Sequence, residues 1–290
     1  MTPAGGDREA YAEAFDARYA RLVVTAADEH WLNAAVTAVT GYGASVIGCD
    51  AEVGVERRLS PDETRDGRPG AAIMAFGFAA KKIGHAVANR IGQCLLTCPT
   101  VAVFDGLPEA NDRAPLGDYL RYFGDGHEQQ TNGGWSLPIM EGKAMLPTTM
   151  GVGRGVAGGN LIFAGSTADG ALDAARRAGD ASAPLPGVVT PFPGGVCRSG
   201  SKVGSRYKDL VASTNEAYCP TLADRVETKL PAGAKAAYEV IIDGESEAAV
   251  RDAMRRAIEA APGEGLLTIT AASYGGQLGK ICIPLSELDR

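Results

Sequence analysis

The chain has no excess of positive charge. Its 28 Lys and Arg stand against 35 Asp and Glu, a net charge of −7. Nucleic-acid binders concentrate positive charge on one face, so that class is not expected. No apolar window reaches the roughly 18 residues that a membrane span needs, and no membrane partner is expected. The opening MTPAGGDREAYAEAF has no basic region followed by an apolar run. It does not read as a secretory signal, and the expected location is the cytoplasm. Six cysteines form no CxxC pair, and the three histidines, His30, His85 and His127, are scattered. Metal ligation is therefore not expected. Cys94 and Cys98, four apart on a helical pattern, read as small core residues. No GxxxxGK[ST] occurs, and Gly200–Gly204 has Lys where a nucleophile elbow needs Ser.

What the chain does have is length for a sizeable core and one or two domains. Its 45% apolar and 22% charged residues are ordinary for a globular protein. The 38 glycines fall in clusters that suggest tight turns and ligand loops. After an acidic segment expected to be exposed, Arg21–Ala27 reads as a strand. Leu32, Ala35, Val36 and Val39 then mark a helix that Gly41 should end. Ser45–Cys49 is the expected second strand, ERRLSPDETRDGRPG a polar loop, and Ala71–Phe76 the third strand. A helix with Ile83, Val87, Ile91, Cys94 and Leu95 on one face precedes a fourth strand, Thr100–Phe104.

The second half repeats this order. Asn160–Ala164 is a strand, Thr167 an N-cap for a helix over Ala168–Ala181, and Val188–Thr190 a strand. After a long loop come the strand Ala236–Ile242, a helix opened by Ser246, and the strand Leu266–Thr270. Two β-α-β, loop, β-α-β halves predict an α+β fold of two duplicated ferredoxin-like lobes, each an α/β sandwich with an antiparallel sheet. The expected domains are residues 1–150 and 151–290, the second carrying the 191–220 loop and the Glu239 strand. The seam contains FGDG and a hairpin around Asn132–Gly134. Gly153–Gly158 spells GxGxxG, but it precedes its strand, so no helix N-terminus stands ready for a pyrophosphate. It reads as a close-approach turn into the second lobe.

The 191–220 loop is the candidate binding segment, because a compact chain seldom keeps thirty irregular residues without a use for them. Pro191, Phe192, Pro193, Gly194 and Gly195 can bring bare backbone close to a ligand. Arg198, Lys202, Arg206 and Lys208 place four cations there, and Ser213, Thr214 and Asn215 add hydrogen-bonding groups beside Tyr218. A solvated loop and a turn-capping Asn215 are the plainer alternatives. Downstream, alternation puts Glu239 with Ala237 and Ile241 on one face of its strand. It is either an edge carboxylate in water or one held in a dry cleft, where its pKa would rise into the range of acid–base catalysis.

Many runs in one order resemble the formylmethanofuran:tetrahydromethanopterin formyltransferase family. They are AFDARYARLVVTAA, TGYGASVIGCDAEVG, SPDETRDGRPG, NRIGQCLLTCPTVAVFDGLPEA, FGDG, GVAGGN, PFPGGV, SKVGS, ASTNEAYCPT, AYEVIIDG and YGGQLGK. The resemblance implies a reversible formyl transfer between the amine of methanofuran or methylofuran and N5 of tetrahydromethanopterin. These two are coenzyme substrates, with no metal or redox cofactor. It further implies one-carbon metabolism, and the composition points to the methylotroph branch, where the relative is a subunit of a formyltransferase/hydrolase complex. A homo-oligomer and hydrolase partners are therefore expected. Carried over residue by residue, Glu239 of the AYE strand is the acid–base group, with Ser213 and Asn215 as further catalytic candidates. Phe123, Gly124, Asp125, the PFPGG run, Lys202, Arg206, Thr214 and Tyr218 are candidate substrate-binding residues. The linker from NDRAPLGDYL to QQTNGGW departs from the family in lacking the acidic insert of archaeal relatives, which bears on surface charge rather than chemistry. Two other readings stay open: a docking subunit whose catalysis has lapsed, and a ferredoxin-like sensor that binds a metabolite without turning it over.

Overall fold

The computed structural model describes residues 10–45, 47–273 and 279–288. The chain divides into two compact units, residues 17–155 and residues 1–16 with 156–290. The expected boundary at 150 differs from this for a structural reason. One long strand, Thr149–Gly165, runs through it without a break. Another carries residues 11–14 into the second unit, where they pair with Ile281–Pro284.

In the first unit the order is β1 (Tyr11–Thr25), α1 (Glu29–Thr40), β2 (Glu52–Leu59), β3 (Gly70–Gly77), α2 (Ala80–Arg90) and β4 (Ala102–Asp105). β3 and β4 both pair antiparallel with β1, and β2 pairs with β3, giving β2-β3-β1-β4. That is the split βαβ arrangement. Asp28 caps α1 by accepting the Trp31 N–H at 3.1 Å. Leu32, Ala35, Val36 and Val39 are buried as their spacing predicts, in one core with Leu22, Val24 and Ile73 of the sheet and Ile83, Val87 and Ile91 of the second helix. Beyond β4 come β5 (Asp112–Pro115), α3 (Gly117–Leu120), and β6 (Gln129–Thr131), β7 (Gly134–Ile139) and β8 (Gly142–Leu146). The last three form a small antiparallel sheet, with Asn132 and Gly133 at the expected turn.

β9 (Thr149–Gly165) leads into the second unit. There α4 (Ala168–Ser182), β10 (Val188–Val189), β11 (Ser201–Val203), β12 (Ala212–Thr214), β13 (Ala236–Gly244), α5 (Glu247–Ala260), β14 (Leu266–Thr270) and β15 (Ile281–Pro284) follow. Here β13 and β14 pair with β9, and β10 with β13, so the order β10-β13-β9-β14 repeats the first unit strand for strand. Thr167 and Ser246 cap the two helices, accepting from Gly170 N at 3.0 Å and Ala249 N at 3.2 Å. Leu161, Phe163, Val240 and Ile242 pack in one core with Val250, Met254 and Ala174 of the two helices.

Three expectations are corrected. Residues 45 and 47–49 form turns, and the second strand is β2, which begins at Glu52 and runs four residues into the supposed polar loop. Its charge disguised it, because Glu56 is buried and accepts Arg21 Nε and Nη2 at 2.7 and 2.9 Å. From Tyr11 on, the N-terminal acidic segment is strand, not exposed coil, and Glu13 is buried in it, accepting from Gly279 N at 3.3 Å. The GxGxxG run lies within β9 rather than in a turn. A Cβ at Gly153 would come within 2.5 Å of the Tyr19 ring, and Gly158 has φ +86°. Val46 of the expected strand, the first nine residues, and Tyr274–Leu278 of the YGGQLGK run lie outside the described residues.

Candidate active site

Alternation along β13 turns Val240 and Ile242 into the helix-covered core and Glu239 onto the opposite face. Loop 191–220 covers that face. Gly194 and Gly195, at φ +63° and +76°, turn the chain so that Gly195 N donates to Phe192 O at 2.8 Å. Cys197 then pairs with Glu239 through two backbone hydrogen bonds, Cys197 N to Glu239 O at 2.7 Å and Glu239 N to Cys197 O at 3.0 Å. The β11–β12 hairpin closes over the top, in the register Ser201↔Thr214.

Glu239 is buried, only 6% exposed. Burial pushes its carboxyl up from 4.5 to about 8, and a hydrogen bond from the Ser201 backbone amide opposes only part of that rise. At neutral pH the group is mainly a neutral acid. It can donate a hydrogen bond or deliver a proton, as a carboxyl in water at that pH cannot. Of the two readings of this residue, the dry cleft is the one the structure shows.

The carboxyl borders a cavity of about 260 Å³, walled by Ile162, Cys197, Asn215, Tyr218, Cys219 and Ala237. Arg198 and Lys235 also line it, and neither makes an ion pair among the described residues. A second cavity of about 280 Å³ shares Asn215 and Tyr218 with the first and adds Lys202, Glu216 and Lys229. The Asn215–Tyr218 turn thus stands between two spaces. Tyr218 Oη donates to Ala271 O at 3.3 Å, which steadies that partition.

Other expected site residues are placed differently. Ser213 Oγ donates to Gly204 O at 2.7 Å and Thr214 Oγ1 to Ser199 O at 3.2 Å, so both hydroxyls serve the hairpin. Neither residue is among those bordering the Glu239 cavity. Lys202 is held by Glu216 in an ion pair, and that contact holds the Glu216 carboxyl below its usual range. Arg206 is exposed. Pro191 is buried and Gly195 packs on α4, where a Cβ at Gly179 would come within 3.6 Å of Gly195 O. The PFPGG run shapes the loop without bordering the cavity. Phe123, Gly124 and Asp125 belong to the other unit, where Phe123 is exposed, Gly124 is buried and Asp125 has φ +51°. Sequence reasoning missed Cys197 and Lys235. Lys235 directly precedes the Glu239 strand, which was the one signal available for it. Among the described residues, no three His, Cys, Asp or Glu side chains come together as metal ligands would.

Comparison with known proteins bears on both units. Residues 8–139 match the family model described as formylmethanofuran-tetrahydromethanopterin formyltransferase, and residues 142–288 match the model described as its proximal lobe. The formylmethanofuran–tetrahydromethanopterin formyltransferase of Rhodopirellula baltica is 44% identical over 97% of this chain and 90% of its own length. That of Methanothermobacter thermautotrophicus is 46% identical over 97% of both. Among solved structures, the Methanosarcina barkeri formyltransferase superposes with TM-score 0.87 at 42% identity, covering 99% of this chain and all of that one. A chain of the formyltransferase/hydrolase complex from Methylorubrum extorquens, in complex with methylofuran, gives TM-score 0.91 at 41% identity, covering 97% and 96%.

Proposed function

We propose a mechanism from one premise: the chain belongs to the formylmethanofuran–tetrahydromethanopterin formyltransferase family. Its reaction is the transfer of a formyl group between a furfurylamine coenzyme, methanofuran or methylofuran, and tetrahydromethanopterin, in one-carbon metabolism. Transfer between two nitrogens requires the acceptor nitrogen to attack the formyl carbon. The carbonyl oxygen then carries negative charge in a tetrahedral adduct, and the donor nitrogen must gain a proton to leave. Glu239 is suited to both demands. As a buried neutral acid at the cavity wall it donates a hydrogen bond to the oxyanion, then passes its proton to the departing nitrogen. The carboxylate left behind takes the proton that the attacking nitrogen sheds, so the cycle closes with no net proton change. The observation that carries this reading is the buried carboxyl beside an open cavity, where burial raises its pKa.

Asn215 borders the cavities on both sides of its turn and is the residue placed to orient the two reactants. Ser213 and Thr214 act by holding the hairpin over Glu239. Arg198 and Lys235, rather than Lys202, are the cations free to meet an anionic part of a coenzyme. The exposed ring of Phe123 remains a candidate face for a flat coenzyme ring, with Gly124 and Asp125 shaping that turn. Similarity to a chain of a bacterial formyltransferase/hydrolase complex supports methylofuran as the furan coenzyme and a hydrolase as partner.

The test is direct. The purified chain is mixed with formylated methylofuran and tetrahydromethanopterin, and the formylated pterin is measured by chromatography. Transfer in the absence of any other protein is the expected result. Coenzymes bound but recovered unchanged would instead make the chain a binding or docking subunit.

A further inference from the structure

A larger cavity, about 1040 Å³, lies in the unit of residues 17–155, with Val23 and Phe104 on the sheet behind it. Its position has a counterpart. Val23 pairs with Ala72 and Phe104, as Ile162 pairs with Glu239 and Thr270 in the duplicated sheet. The cavity therefore occupies, in the first copy, the sheet face that carries the acid in the second. Ala72 stands where Glu239 would be, so this face keeps a space for a ligand and lacks the group that would act on it.

The charges around it are unevenly committed. Glu63 accepts Arg57 Nη1 at 2.6 Å, Glu141 Oε2 accepts the Thr100 N–H at 2.9 Å, and Asp105 accepts Arg113 Nη2 at 2.6 Å. Arg68 is held by Asp66 and by the Thr100 carbonyl. That leaves Arg65 and Lys143, both exposed and neither in an ion pair among the described residues. The Arg65 guanidinium sits 6.0 Å from the centre of the Phe104 ring. Between these groups Thr100 has φ +67°, a left-handed conformation that a β-branched residue rarely adopts. Its N–H, carbonyl and hydroxyl are all pinned, the hydroxyl by Ala27 N at 3.1 Å, and strain so overdetermined is found most often at ligand sites.

We propose that this cavity is a second, non-catalytic site for a small organic anion. Arg65 and Lys143 meet its carboxylate or phosphate, and its apolar or aromatic body lies against Val23 and Phe104. Calorimetric titration at low salt would use benzene-1,3,5-tricarboxylate and phenyl phosphate as probes, with benzyl alcohol as the neutral control. At least one anion is expected to bind in the micromolar-to-millimolar range and the alcohol not at all. Which anion binds separates a carboxylate ligand from a phosphate one. The double variant R65A/K143A should weaken binding about tenfold or more, since each removes a charge-assisted contact. E239Q should leave it unchanged. Both replaced side chains are exposed, and an unchanged melting temperature will show that R65A/K143A folds. Absence of binding by both anions overturns the proposal, as does binding that survives R65A/K143A. Binding lost in E239Q or in R198A/K235A overturns it too, by placing the anion beside the acid instead.

Discussion

The role proposed for Glu239 depends on its burial, and the same burial couples it to stability. Between pH 4.5 and about 8 the folded chain holds a proton that the unfolded chain has released. Stability from this residue is fully present below pH 4.5 and is lost as pH rises through about 8, by about 1.4 kcal/mol per unit in that window. Chemical denaturation of wild type and Glu239→Gln across pH 5–8 should show it, the variant losing less stability as pH rises. Parallel curves would mean the carboxyl is not held neutral. Ser213 sits at the other extreme. Its hydroxyl donates only to Gly204 O, so Ser213→Ala should cost about 1 kcal/mol of stability and less than about tenfold in turnover. A larger loss of turnover with unchanged melting would return Ser213 to the chemistry.

At the scale of elements, most helices and several strands were legible in the sequence, and the exceptions share a cause. α1 declares itself by its apolar spacing, α4 by Thr167 at its cap, and α5 by Ser246; the Asp28 cap of α1 emerges only in the structure. β2 hid because it carries Glu52 and Glu56 into buried positions, which alternation alone cannot foresee. β9 hid its first half behind glycines that look like a turn. They are there because neighbours come close, as the Tyr19 ring does at Gly153, and the next glycine along is equally tight: a Cβ at Gly159 would lie 2.4 Å from Val250 Cγ1 on α5. Gly159→Ala should therefore destabilise by about 1–3 kcal/mol through overpacking. A melt of that variant matching wild type would show that α5 shifts to make room. In the candidate site, Glu239 could be picked out from its strand. The bordering Cys197 and Lys235 could not, since only the folded loop reveals what it turns inward.

Across the whole chain, one strand order is used twice, and the proposed acid stands in one copy alone. The β2-β3-β1-β4 and β10-β13-β9-β14 sheets match strand for strand, yet Ala72 pairs with Val23 where Glu239 pairs with Ile162. Duplication was visible in the order of elements. The division between units was not, because β1 and β9 each pass from one unit into the other. Antiparallel sheets leave edges that partners commonly cover. Light scattering on the purified chain should thus give a mass above that of one 29.9 kDa chain, and a strict monomer at working concentrations would count against assembly.

In the proposed mechanism a neutral, buried Glu239 moves the proton that formyl transfer requires. The pH dependence of kcat for wild type and Glu239→Gln tests it most directly. Wild-type turnover should fall as pH rises past about 8, where the acid ionises. Glu239→Gln should be slower by about a hundredfold or more and lack that fall, with pterin binding intact. A variant within a few-fold of wild type, with the same pH profile, would contradict the account and leave catalysis to positioning and backbone donors.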